Sequence, residues 1–280
     1  MHLPNRLMKN VRVHIALIVT AFAILAAVMF FPARSSPAQA PRSSTSATFV
    51  ASAARNTTLK NELTWTFGGK QQRGWYLYDS LISKTLNTQH DSTTSGFAAA
   101  LAVWQKKMRL SADGVLDENS LTRMVSQWQS NRLKNRTYAT PDQLLTAPPA
   151  DFYDPGRAAE LRQVERNTYA AYKEMVAAAD ADLKLGSKYL KIVSSFRSRE
   201  HQDRLRAQSP NSGSAGLAVN SPHFTGRALD LYVGGDPVDT KDSNRAVQVN
   251  TPAYRWLVHN AERFGFRPYF YEPWHWEYVK

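Results

Sequence analysis

Two short stretches of this 280-residue chain carry histidine and carboxylate side chains at spacings that suit metal chemistry. The first runs Ser221-Pro222-His223-Phe224-Thr225-Gly226-Arg227-Ala228-Leu229-Asp230. Asp230 falls inside an alternating pattern predicted to be a strand over Ala228–Val233. Leu229, Leu231 and Val233 share its core face, and Ala228, Asp230 and Tyr232 the other. A carboxylate in a mostly apolar strand needs a partner, and a cation is a suitable one. Gly226 lets the chain turn so that His223 folds back toward Asp230. The second stretch is Tyr271-Glu272-Pro273-Trp274-His275-Trp276-Glu277-Tyr278. His275 supplies a third ligand, and three protein ligands plus one open position is the usual arrangement of a catalytic zinc. Cysteine is absent, so thiolate sites and disulfides are excluded. Zinc lowers the pKa of bound water from 15.7 toward about 7, and a nearby carboxylate can then carry the proton. Glu272 is the candidate. In a regular strand it would lie on the face opposite His275, but Pro273 predicts an irregularity that brings both toward the metal.

Taken together, the segments resemble the zinc D-Ala-D-Ala carboxypeptidase family typified by the vancomycin-resistance enzymes and related endolysins. The family's Ser-x-His-x-x-Gly-x-Ala-x-Asp is matched from Ser221 to Asp230, and its Glu-x-Trp-His by Glu272, Trp274 and His275. A third element, aromatic-Arg-Ser-x-x-x-Gln, is matched by Phe196, Arg197, Ser198 and Gln202. The resemblance implies His223, Asp230 and His275 as ligands of one Zn2+ and Glu272 as the catalytic base. It implies Arg197 as partner of the oxyanion or the peptide carboxylate, work suited to a permanently charged fork. Ser221 and Gln202 would line the substrate site, with Trp274 as a pocket wall. Members often carry Arg two residues after the last His, whereas this chain has Glu277. On a regular strand Glu277 shares a face with His275, as an outer partner of that ligand or a rival base. The implied reaction is hydrolysis of the D-Ala-D-Ala bond of peptidoglycan stem peptides. An L,D-carboxypeptidase, a stem-peptide endopeptidase and a non-catalytic wall-binding zinc module are the alternatives. Glu272 and Arg197 argue against the last, because a pure binding site needs neither.

These residues require a scaffold. The patterns predict a helix from Arg157 to about Ala181, a strand over Tyr189–Ser195, a charged helix over Ser198–Arg206 and a polar loop over 208–220. A helix over Thr251–Phe264 follows, with Thr251 as N-cap and Pro252 in its first turn. The aromatic-rich stretch Arg267–Val279 closes the chain as one or two strands. The expected fold class is α+β, a small antiparallel sheet flanked by helices over residues 156–280.

Upstream, residues 15–31 form an uncharged run behind Arg6, Lys9 and Arg12, so residues 1–31 are expected to be a cytoplasmic stub with a membrane-spanning or signal segment. The rest of the chain would then lie in the cell envelope, anchored to the membrane, or released if cleaved near Ala40. Residues 32–60, rich in Ser, Ala, Pro and Thr, are expected to be a flexible tether, and 131–155 a second linker. Between them, 61–130 is helical in pattern, with Asp117 as an N-cap. Its Ala102-Val103-Trp104-Gln105, Leu110, Asp113-Gly114-Val115-Leu116-Asp117 and Ser120-Leu121 resemble half of a peptidoglycan-binding module, which implies cell-wall glycan as a partner. The net charge of +12 resides mainly in residues 1–150, with 17 Lys/Arg against 7 Asp/Glu, compared with 18 against 16 beyond. Such a balance favours polyanionic surfaces, but no Lys/Arg run interleaved with aromatics points to nucleic acid.

Overall fold

Asp117 and Thr251 cap helices as their types predict. Asp117 accepts from the Ser120 amide, and Thr251 from that of Tyr254 ahead of Pro252. A computed structural model describes residues 43–208 and 220–280, which fall within one compact unit. The uncharged run 15–31 lies outside the described residues. Among those described, no helix is long and apolar enough to cross a membrane.

The N-terminal part is built from α1 (Ser43–Glu62), the hairpin of β1 (Thr64–Phe67) and β2 (Lys70–Arg73), α2 (Asp79–Leu86), α3 (Ser95–Lys107) and α4 (Glu118–Ser130). Where the composition predicts a tether, α1 is a helix from Ser43 onward. Its polar side chains are engaged: Ser52 Oγ donates to the Asp113 carbonyl at 2.6 Å, and Asn56 bridges the Gly114 carbonyl and the Leu116 amide. Gln105 grips the same turn from the other side, accepting from the Gly114 amide at 2.9 Å and donating to the Val115 carbonyl at 2.9 Å. Gly114 has φ +73°, and a Cβ there would lie 2.5 Å from the Ala98 carbonyl, so only glycine fits. The helix is thus specified by partners about sixty residues away. Composition read along the chain cannot show them.

The stretch 131–155 is likewise not a loose linker. Leu133, Ala139, Leu144, Ala147 and Phe152 are buried. β3 (Leu144–Thr146) pairs antiparallel with β4 (Gln163–Glu165). That pairing occupies residues expected to open a helix at Arg157. Instead α5 spans Arg166–Leu183, because the Glu165 carboxylate caps it by accepting from the Asn167 and Thr168 amides.

The main sheet has the order β5 (Ile192–Ser194), β6 (Ala228–Leu231), β8 (His275–Tyr278), β7 (Phe266–Pro268), antiparallel throughout. β5 is shorter than expected because Leu190, at φ +59°, interrupts extended backbone before it. The charged helix α6 follows at Arg199–Gln208, and α7 (Asp242–Val249) and α8 (Pro252–Asn260) lie along the chain between β6 and β7. The α-helix ends at Asn260 and continues to Phe264 as a 3₁₀ turn. The class is therefore α+β.

One continuous buried cluster runs from Trp65, Trp75 and Trp128 through Phe270 to Leu229 and Trp276. Phe270 joins its two ends, meeting Phe67, Tyr78 and Trp128 at ring-centroid distances of 4.7, 5.3 and 5.9 Å. Polar contacts bridge the same parts, with Arg245 donating to Tyr78 Oη at 2.8 Å. Burial of a large aromatic contributes on the order of 2–3 kcal/mol. Residues 151–280 expressed alone would expose that face. They are expected to lack a cooperative thermal transition, and Phe270→Ala in the full chain to cost about 3–5 kcal/mol. A fragment that melts like the intact chain would refute this shared-core account.

Candidate metal centre

The pairing of β6 with β8 does the first positioning. Its register sets Asp230 opposite His275 and Ala228 opposite Glu277, so Asp230, His275 and Glu277 share one face. His223 arrives from the 3₁₀ turn Pro222–Thr225. Ser221 Oγ accepts from the His223 amide at 3.3 Å and so caps that turn. Gly226 closes it at φ +67°, where a Cβ would sit 2.9 Å from Leu144 Cδ2 and 3.0 Å from the Glu165 nitrogen. The irregularity expected at Pro273 is a pair of tight turns. The Glu272 amide donates to the Tyr269 carbonyl at 3.1 Å and the His275 amide to the Glu272 carbonyl at 2.9 Å.

His223, Asp230 and His275 converge, with their ligating atoms all within 4.8 Å of one another and all three residues buried. Nδ1 of His223 lies 2.7 Å from the Ser195 carbonyl. A carbonyl only accepts, so Nδ1 carries the hydrogen and Nε2 keeps its lone pair. That Nε2 is 3.4 Å from Asp230 Oδ2. Nδ1 of His275 is 2.9 Å from Asp230 Oδ1, while its Nε2 is 3.2 Å from Glu277 Oε1. Each imidazole thus has one nitrogen facing Asp230 and the other held by an oxygen, as ligating histidines do. Ligands at about 2.0–2.2 Å from zinc stand roughly 3.3 Å apart around a tetrahedron, a spacing these atoms suit. The donor set fits the metal.

The two glutamates beside His275 differ in surroundings. Glu277 is fully buried and saturated: Arg132 donates to Oε1 through Nε at 3.1 Å and through its terminal nitrogen, and the Leu133 amide donates to Oε2 at 2.8 Å. Glu272 is also buried, its Oε2 4.0 Å from His275 Nδ1, while Oε1 has no hydrogen-bond partner among the described residues. Arg197 is held by Gln202 Oε1 at 2.8 Å and Ser194 Oγ at 3.0 Å, its guanidinium 3.9 Å from Asp230 Oδ2. Gln202 and Ser221 therefore hold other site residues in place. Trp274 is 3% exposed and belongs to the core cluster. The Ser195 carbonyl, Ser194, Arg132 and Leu133 went unseen in the sequence, where Arg132 and Glu277 are 145 positions apart.

Electrostatics separates the carboxylates further. Burial, helped by the Asp230 charge and only partly offset by His275, Arg132 and Arg197, pushes Glu272 up to about 7. Burial opposes ionisation of Glu277 too, but hydrogen bonds from His275 and Arg132 outweigh it and hold that carboxyl far below its ordinary range. Asp230 is likewise held low, its desolvation overcome by His223 and His275. Burial depresses His223. It also opposes charge on His275, which the bonds to Asp230 and Glu277 nevertheless push up to about 9.

Residues 161–280 match the model of a family described as VanY, D-alanyl-D-alanine carboxypeptidase. That stretch is VanY-like. The match begins beyond α4, so the helical segment and Arg132 lie outside the VanY-like region. A solved structure of the LdcB LD-carboxypeptidase, described as revealing the molecular basis of peptidoglycan recognition, shares 24% identity at a TM-score of 0.38, covering 52% of this chain and 71% of that one. No curated protein matches.

His275 and Glu272 each hold a proton more tightly in the folded chain than in the unfolded one. Their stabilisation is complete below the unfolded values and lost as pH rises through the folded ones. With chelator present, the melting temperature is expected to fall from about pH 7 to about pH 9. A flat or rising value across that window would contradict the buried-imidazolium account.

Proposed function

We propose that the VanY-like part of this chain is a zinc carboxypeptidase that removes the terminal D-Ala from peptidoglycan stem peptides. The observation that carries the proposal is the contrast at His275 between a saturated, ionised Glu277 and a buried Glu272 whose Oε1 has no hydrogen-bond partner among the described residues. A binding module has no use for such a split, whereas hydrolysis needs one carboxylate able to exchange a proton near neutral pH.

In this reading His223, Asp230 and His275 hold the metal. Zinc, when bound, supplies a Lewis acid for the scissile carbonyl and brings the pKa of water toward about 7. Glu272 takes the proton from the attacking water and passes it to the nitrogen of the departing D-Ala as the C–N bond breaks. Its resting pKa near 7 lets it accept and release that proton at little cost. Arg197, fixed by Gln202 and Ser194, pairs with negative charge gathering on the carbonyl oxygen or with the terminal carboxylate of the peptide. Glu277 keeps His275 turned toward Asp230 and carries no proton of the reaction.

The cell envelope is the compartment where this substrate lies. The uncharged run 15–31 as an export segment, and residues 61–130 as a wall-binding element, complete the proposal by raising the local concentration of substrate.

The full chain beyond residue 42 is expected to bind about one zinc, and His223→Ala or His275→Ala to lose most of it. Glu272→Gln should keep the zinc and lose about 10²–10⁴-fold in hydrolysis. Mass analysis of a pentapeptide stem reads the bond: loss of one terminal alanine supports the D,D reading. Cleavage starting from a tetrapeptide makes it an L,D-carboxypeptidase, and an internal cut an endopeptidase. Zinc-loaded wild type that cuts no stem peptide would leave only the binding-module reading.

A further inference from the structure

Arg132 follows directly on α4, in the segment where the sequence pattern suggested a linker. Its side chain reaches into the metal centre. Two of its nitrogens converge on Glu277 Oε1, one of them Nε at 3.1 Å, and Nη1 is steadied by Gln129 Oε1 at 3.2 Å. The guanidinium carbon lies 3.8 Å from the centroid of the Tyr269 ring, a stacked cation–π contact. The next residue adds its backbone amide to Glu277 Oε2 at 2.8 Å. Glu277 in turn holds Nε2 of His275 at 3.2 Å, which leaves Nδ1 facing Asp230.

A fully buried carboxylate is stable as an anion only while its partners remain. Without Arg132, Glu277 would keep one imidazole and one amide, and its Oε1 would lose the two guanidinium contacts that fix it against the ring. A carboxylate free to turn away releases the outer nitrogen of His275. Outer contacts of this kind orient a ligating ring and set its basicity, and their loss typically weakens metal binding by about 10–100-fold.

We propose that Arg132 is a positioning residue of the metal centre, acting through Glu277 on His275, and that the helical segment carrying it is part of the site. The inference rests on the zinc reading of His223, Asp230 and His275 given above. It goes beyond the VanY-like region, which starts at residue 161. A plain alternative exists, that the pair only fastens the helical segment to the sheet. Buried ion pairs add little net stability over apolar replacements. A fastening role therefore predicts an effect on melting alone.

The test is zinc affinity of the chain from residue 43 onward, measured by chelator competition alongside thermal melting. Arg132→Met keeps the stem against Tyr269 and removes the fork. It is expected to raise the zinc Kd by about 10–100-fold, as is Glu277→Gln, with the double variant no worse than the poorer single one. Tyr78→Phe breaks a different contact between the same parts, that with Arg245, and is expected to leave the Kd unchanged. Folded Arg132→Met with wild-type affinity, or effects that add in the double variant, would overturn the proposal. So would a Tyr78→Phe chain that weakens zinc as strongly. Should Arg132→Met fail to fold, Arg132→Lys keeps the charge without the fork and is expected to bind zinc several-fold more weakly. Equality with wild type there also overturns the proposal. A wild type that takes up no zinc sinks the metal reading itself, a separate result from wild-type binding that Arg132 does not affect.

Discussion

Asp230 is a carboxylate 3% exposed, and its charge has to be met by protein groups or a cation. His223 answers from a 3₁₀ turn, His275 from the facing strand, and Arg197 from the stretch after β5. Each of these is itself buried and needs an outer partner, which the Ser195 carbonyl, Glu277 and Gln202 provide. Glu277 then needs Arg132 and the Leu133 amide. The desolvation of one carboxylate thus propagates outward through three shells of contact. It ends only where Arg132 reaches partial exposure beside Tyr269.

Two glutamates flank one imidazole, and the chain gives them opposite fates by unequal company. Glu277 receives three donors and stays ionised. Among the described residues Glu272 receives none at Oε1, and its desolvation outweighs the pull of His275, Arg132 and Arg197. The turn at Glu272-Pro273-Trp274-His275 keeps both carboxylates near the same ring without letting them share a donor. One buried site thus holds a carboxyl kept ionised beside one whose pKa is raised toward neutral pH.

The aromatic core explains why the helical segment can act on the centre at all. Phe270, one residue from Tyr269 and two from Glu272, is clasped by Phe67, Tyr78 and Trp128. The packing that fixes the loop bearing Glu272 is therefore the same packing that holds α4 in place. With α4 set, Arg132 falls within reach of Glu277. Two elements that merely shared a tether would show neither contact.

The sequence by itself determined the strand carrying Asp230, the turn glycine and the caps at Asp117 and Thr251. All of these are local: alternation along a strand, a φ only glycine adopts, a side chain reaching an amide three residues on. It also placed Glu277 on the face of His275 by simple period-two reasoning, and located an irregularity at Pro273. It left the two glutamates as rivals, and it read α1 and residues 131–155 as loose chain. Those matters turn on partners brought from far along the polypeptide. Asn56 meets Gly114, and Arg132 meets Glu277 across 145 positions. Burial and donor count decide which carboxylate is ionised, and both are properties of packed neighbours. Only the tertiary structure, by choosing those neighbours, could assign them.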